Sequence, residues 1–267
     1  MSRDFEIIQL EIEEAALQRL DNRLRNQLMG CMHAHNELTV LNRIFMFVLN
    51  DTGAGELHDT ANSVQMWCML QILAGKLFET WLMLIARFVA ARPEDSALAG
   101  LGPEHRKSLE WLKDYFGSDE KSLKPCAIRI IRDKTAFHYD KLNLDEAVNH
   151  LARHENTVYL AQHPANSLYY LSSAVVFLGI FALIADKAGD TSSLTHDDRT
   201  KEGARIATED AKNANFHMHQ LLYGLIDQLL ERTVGKPLTS LSQTRIPIRG
   251  APDPEKVGLP AFVDMGR

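Results

Sequence analysis

The chain has 267 residues, of which 45% are hydrophobic and 24% charged, and its formal net charge is −6. That composition is long and apolar enough for one large or two small folded domains and excludes a disordered chain. The acidic balance argues against a broad basic face for duplex DNA or for an anionic membrane surface, but leaves room for a small, locally basic site.

In chain order the signal is helical almost throughout. Leu17, Leu20, Leu24 and Leu28 fall on one helical stripe, and Leu38, Leu41, Ile44, Phe45 and Val48 continue it. Gly30 interrupts this pattern, which therefore reads as one long helix or two. The run NDTGAGELHD, residues 50–59, is turn chemistry and ends it. A second long helix is predicted over 60–91, with Trp67, Leu70, Leu73, Leu77, Trp81 and Leu84 along one side and Arg92-Pro93 as the stop.

A short helix follows with Leu109, Leu112 and Phe116. Pro125 then suits the first turn of another helix, and Asn143 or Asp145 suits the cap of the one after, which holds Ala147, Val148 and Leu151. An apolar helix is predicted over 167–188. Its stretch LYYLSSAVVFLGIFALIA, 168–185, carries no charge and is just long enough to cross a bilayer. The absence of basic flanks favours a bundle's central helix, apolar all round because neighbours surround it. A last helix is predicted over 201–234, with Ile206, Phe216, Leu221, Leu225, Ile226 and Leu229.

No stretch shows convincing strand alternation, and no internal repeat is present. Five of the nine prolines lie from Pro237 onward, so residues 235–267 read as an extended or disordered C-terminal arm. The expectation is an all-α protein: an up-and-down helical bundle over 1–234 carrying that arm. Cys31, Cys68 and Cys126 are scattered and form no C-x-x-C pair. They read as reduced core thiols of a cytoplasmic protein, and MSRDFEIIQL has no secretory pattern.

The stretch IRIIRDKTAFHYD, residues 128–140, differs from the rest. Arg132 is followed at once by Asp133 and then by His138, which stands between Phe137 and Tyr139. On an α-helical wheel with Ile128 at zero, Ile131 lies at about −60°, Thr135 at about −20°, Arg132 at about +40° and His138 at about −80°. Arg132 and His138 then edge one apolar stripe, with backbones about 9 Å apart along the axis. Both side chains are long enough to meet at one phosphate.

From Lys121 to Lys141 there are six basic residues (Lys121, Lys124, Arg129, Arg132, Lys134, Lys141) and two acidic ones (Asp133, Asp140). An acidic protein has placed a positive island around this histidine, the layout that draws a polyanion to one spot. The chemistry available to such a pair is RNA cleavage without a metal. The ribose 2′-hydroxyl is the nucleophile, histidine moves the proton, and a guanidinium holds the phosphate. One histidine cannot be base and acid in one step, so a two-fold dimer would supply the second.

Residues 132–138, RDKTAFH, resemble the HEPN superfamily motif: an Arg, four to six residues, then a His, with a polar residue directly after the Arg. The all-helical chain is similar too, above all to HEPN proteins of abortive infection and toxin–antitoxin systems. The resemblance implies a helical bundle, a homodimer and a metal-independent ribonuclease needing no cofactor. Arg132 and His138 would be catalytic at the dimer cleft, with Asp133 orienting them. Arg129, Lys134 and Tyr139 would contact RNA, and a small antitoxin or other regulatory partner would restrain the activity. His138-Tyr139 lacks the spacer of the His-x-Tyr form carried by some HEPN toxins.

The residues by themselves also fit a non-catalytic reading. Arg132 and Asp133 then make surface ion pairs, His138 sits beside the core, and the same stripe serves dimerisation or partner binding. His33-Ala34-His35 and His217-Met218-His219 point about 200° apart on a helix, so neither pair chelates one ion. His150 and His154 have metal-ligand spacing, though a solvated helix face explains them better. There is no P-loop, no G-x-G-x-x-G and no G-x-S-x-G.

Overall fold

A computed structural model describes residues 3–50, 55–89, 97–136 and 144–262. Among these the chain is all-α, with eight α-helices and one two-stranded sheet. Strand β1 is Arg3–Leu10, followed by α1 (Glu14–Gln18), α2 (Asn22–Leu49) and α3 (Glu56–Leu84). A π-helical turn, Ile85–Val89, extends α3. Then come α4 (Pro103–Phe116), α5 (Ala127–Ile131) with a second π-helical turn at Arg132–Ala136, and α6 (Leu144–Asn149). The last elements are α7 (Tyr170–Ala188), α8 (His196–Val234) and β2 (Gln243–Ala251).

The chain divides into two compact units. One comprises 1–40, 79–123 and 214–257, and the other 41–78, 124–213 and 258–267. In the first, Trp81 is fully buried, stacks on Phe116 at 5.9 Å and donates Nε1–H to the Gly117 carbonyl at 3.1 Å. Leu28, Leu38, Leu112, Leu221, Leu225 and Leu229 complete its core. In the second, Trp67 meets the edges of Phe177 and Phe181 at 4.6 and 5.2 Å, above buried Leu73, Leu77, Ile128, Ile131 and Ile180.

Gly30 does not break α2. A Cβ at this position would lie 2.2 Å from Arg87 Nη1, so the glycine lets that guanidinium lie across the helix. Arg87 donates to the Asn26 carbonyl, and Gln27 Nε2 donates back to the Arg87 carbonyl at 2.7 Å. The break falls earlier, between α1 and α2, where Asp21 Oδ1 caps the new helix by accepting from Leu24 N at 2.7 Å.

Sequence reading expected no strands, and here it needs correction. Residues 243–251 of the proline-rich tail form β2, which pairs antiparallel with β1 in the register Phe5↔Ile248, Ile7↔Ile246 and Ile8↔Arg245. Adjacent Ile7 and Ile8 spoil the period-two pattern, and Pro247 is tolerated because the ribbon leaves β2 at an edge. Further along, Leu259 N donates to the Phe47 carbonyl at 3.3 Å and Gln65 Nε2 to the Pro260 carbonyl at 3.2 Å.

Among the described residues two helices, Glu56–Val89 with its π turn and Tyr170–Ala188, are long and apolar enough to cross a membrane. Helix α7 is buried along Ala174, Val175, Ile180, Ala182, Ile184 and Ala185, exposed at Ser172, Asp186, Lys187 and Ala188, and half-buried elsewhere. Its neighbours therefore cover it less completely than an all-round central helix would require.

Candidate functional site

Helix α5 is anchored by its apolar residues. Ala127, Ile128, Ile130 and Ile131 are all buried, which leaves Arg129 as the residue turned towards solvent. The α-helical wheel holds only to Ile131. From Arg132 to Ala136 the backbone is π-helical, with i→i+5 in place of i→i+4 bonding. Over these five residues the wider turn departs from the regular α-helical step. Thr135, 1% exposed, donates its hydroxyl to the Ile131 carbonyl at 2.7 Å and ties the wider turn to α5.

Arg132 Nη1 donates to Asp133 Oδ1 at 2.8 Å, and Arg129 Nε donates to Asp133 Oδ2 at 3.4 Å. One carboxylate thus orients two guanidiniums. Both lie over the ring of Phe78 from α3, with the Arg132 and Arg129 Cζ atoms 5.4 and 5.9 Å from its centroid. Each such cation–π contact contributes about 0.5–1 kcal/mol in partly exposed positions. The Arg132 side chain is 26% exposed and Asp133 37%, so the ion pair adds little to stability and mainly fixes orientation. With Lys134 half-buried beside them, three cations and one carboxylate leave a local positive excess.

The structure therefore brings Arg129, Arg132 and Asp133 together. His138 and Tyr139 lie on residues 137–143, outside the described residues. Phe78 carries no functional signal in the sequence, because it is 51 positions before Arg129 and sits in an ordinary apolar stripe.

Other histidines are arranged by tertiary contacts. His35 of α2 meets His219 of α8 edge-to-face at 5.1 Å, and burial lowers the pKa of both. His217 stacks on Trp111 at 4.5 Å with its Nδ1 3.1 Å from Ser108 Oγ. Burial, and then the nearby Lys107 charge, lower its pKa.

His150 follows the end of α6, and His154 lies in the turn beyond it, so the two do not share a helix face. His150 instead stacks on His196, with centroids 4.2 Å apart and planes 8° from parallel. Around that stack, Arg199 bridges Glu146 and Asp186. Sequence reasoning missed this cluster, whose members come from three helices. Among the described residues no group of three or more His, Cys, Asp or Glu side chains is placed to hold a metal ion. No family model matches this chain, and no curated protein or solved structure matches it.

Proposed function

We propose that this protein is a metal-independent endoribonuclease of HEPN type that cleaves single-stranded RNA as a cytoplasmic homodimer, in the role of a toxin or antiphage effector. The observation that carries the reading is the Arg132 guanidinium. It is held by Asp133 on the Phe78 ring, at the first residue of the π-helical turn that leads into the His138 segment. Short π turns inside helices occur frequently at functional sites. A partly exposed guanidinium with a fixed plane is suited to a phosphate, whose oxygens match its fork. Arg129 and Lys134 extend the positive field, and Tyr139 adds a ring for a base.

In this mechanism His138 removes the proton of the ribose 2′-hydroxyl, and the 2′-oxygen attacks the adjacent phosphorus. The bond from phosphorus to the 5′-oxygen breaks as a protonated His138 from a second copy delivers a proton to that oxygen. The products are a 2′,3′-cyclic phosphate and a 5′-hydroxyl. Arg132 balances the charge that builds on the phosphoryl oxygens, and Asp133 keeps its plane aligned. A small antitoxin would restrain the activity by covering this surface.

The engagement of both arginines with Asp133 and Phe78 also favours a second reading, a non-catalytic helical module that dimerises or binds a partner through the same face. Induced expression separates the two. Growth arrest with new RNA fragments ending in 2′,3′-cyclic phosphate, lost in both Arg132→Ala and His138→Ala at equal folded protein, is the result expected of the nuclease. Intact RNA with wild-type protein favours the module. Cleavage that survives both substitutions removes the chemistry from this segment.

A further inference from the structure

Helix α6 has six residues, too few for a helix to persist without tertiary support. Besides the burial of Ala147, two polar and aromatic contacts support it. Past its C-terminal end, His150 lies face to face on His196, the first residue of α8 and only 6% exposed. Along its length, Glu146 accepts from Arg199 of α8, whose other Nη reaches Asp186 of α7 at 3.3 Å. Arg199 Nε is buried and makes no hydrogen bond, so the guanidinium holds the three helices through its terminal nitrogens alone.

We propose that the His150–His196 stack is an acid-sensitive latch that fastens α6 to α7 and α8. The charged groups facing it are Glu146 from α6, Asp186 from α7, through Arg199, and Asp197 and Arg199 from α8. Burial of His196, the His150 ring against it and the Arg199 charge oppose protonation. Glu146 and Asp197 favour it, and the balance lowers the His196 pKa. The closed latch therefore binds fewer protons than the open one. It is fully closed above the ordinary histidine value of about 6.5 and loosens as pH falls below that value. The latch does not rest on the ribonuclease reading.

Amide hydrogen exchange on the full chain, corrected for intrinsic rates, tests it. Between about pH 7.5 and 5.5, α6 amides should lose protection progressively as His196 takes up a proton. In His150→Phe/His196→Phe, which keeps two stacked rings but removes both imidazoles, α6 protection should stay flat. Should that variant not fold, the wild-type imidazole titration replaces it. The His196 midpoint should lie below about 6.5, and α6 amide shifts should move in step with it. A pH-flat α6 in the wild type, a pH response that persists in the folded Phe variant, or α6 shifts out of step with His196 would overturn the latch. His138→Ala should lose cleavage yet keep the exchange response, so loss of the latch and loss of the nuclease reading appear on separate signals.

Discussion

Arg132 donates to the carboxylate of its own neighbour, Asp133, at 2.8 Å, and that carboxylate also accepts from Arg129 at 3.4 Å. Adjacent residues on a regular α-helix point about 100° apart. Here the π-helical turn that begins at Arg132 accompanies the adjacent pair. A single acid thus sets the plane of two guanidiniums.

Asp133→Asn should uncouple orientation from stability. The pair is partly exposed, so the melting midpoint should change by an amount equivalent to less than about 1 kcal/mol. On the nuclease reading, cleavage should fall by about tenfold or more, because a misaligned guanidinium loses its hold on the phosphate. Thermal melts and single-turnover cleavage check the two halves. A large stability loss would make Asp133 a structural anchor instead.

Gly203 should tolerate no side chain. A Cβ there would lie 1.8 Å from the Phe181 carbonyl oxygen, where α8 crosses the backbone of α7. Neither backbone can yield without separating the helices. Gly203→Ala should destabilise by about 2 kcal/mol or more, at or above the middle of the usual overpacking range. Gly189→Ala, with nothing within 4 Å of the added carbon, should stay within about 0.5 kcal/mol. Urea midpoints of the two variants, compared side by side, decide the matter.

The His35–His219 contact should make the protein acid-labile. Burial lowers both pKa values, and for His219 the facing His35 adds to the effect. The folded state then binds fewer protons than the unfolded one. Its stability is complete above about 6.5 and is lost as pH falls through the depressed values. His35→Phe/His219→Leu should flatten this part of the pH–stability curve in chemical denaturation. An unchanged slope would assign the acid sensitivity to other groups.

The cysteines should differ in reactivity. Burial pushes the Cys31 thiol up to about 12 despite the nearby Arg87 charge, and the residue is fully buried. Cys68 is exposed, although partial burial of its thiol also raises its pKa. Under native conditions a thiol reagent at neutral pH should label Cys68 first and leave Cys31 untouched until denaturant is added. Mass mapping of the labelled sites reads this directly. Early labelling of Cys31 would mean that α2 opens locally.

The sequence by itself determined the helices, because a 3.6-residue period is a local property. The stripe Trp67, Leu70, Leu73, Leu77, Trp81 and Leu84 is buried throughout, as are Leu109, Leu112 and Phe116 of α4. The same method misjudged Phe216, which is 57% exposed, and Val148, which is 52% exposed, because periodicity marks a face without saying whether anything covers it. The pairing of β1 with β2 was hidden because strand partnership joins segments more than 230 residues apart in short, imperfectly alternating strands. At the candidate site, the sequence supplied Arg132, Asp133 and Arg129. Only the tertiary structure brought Phe78 beneath them, turned the backbone π-helical after Ile131 and set His150 on His196. Contacts between distant helices are chosen by side-chain shape and burial in three dimensions, and no local spacing encodes them.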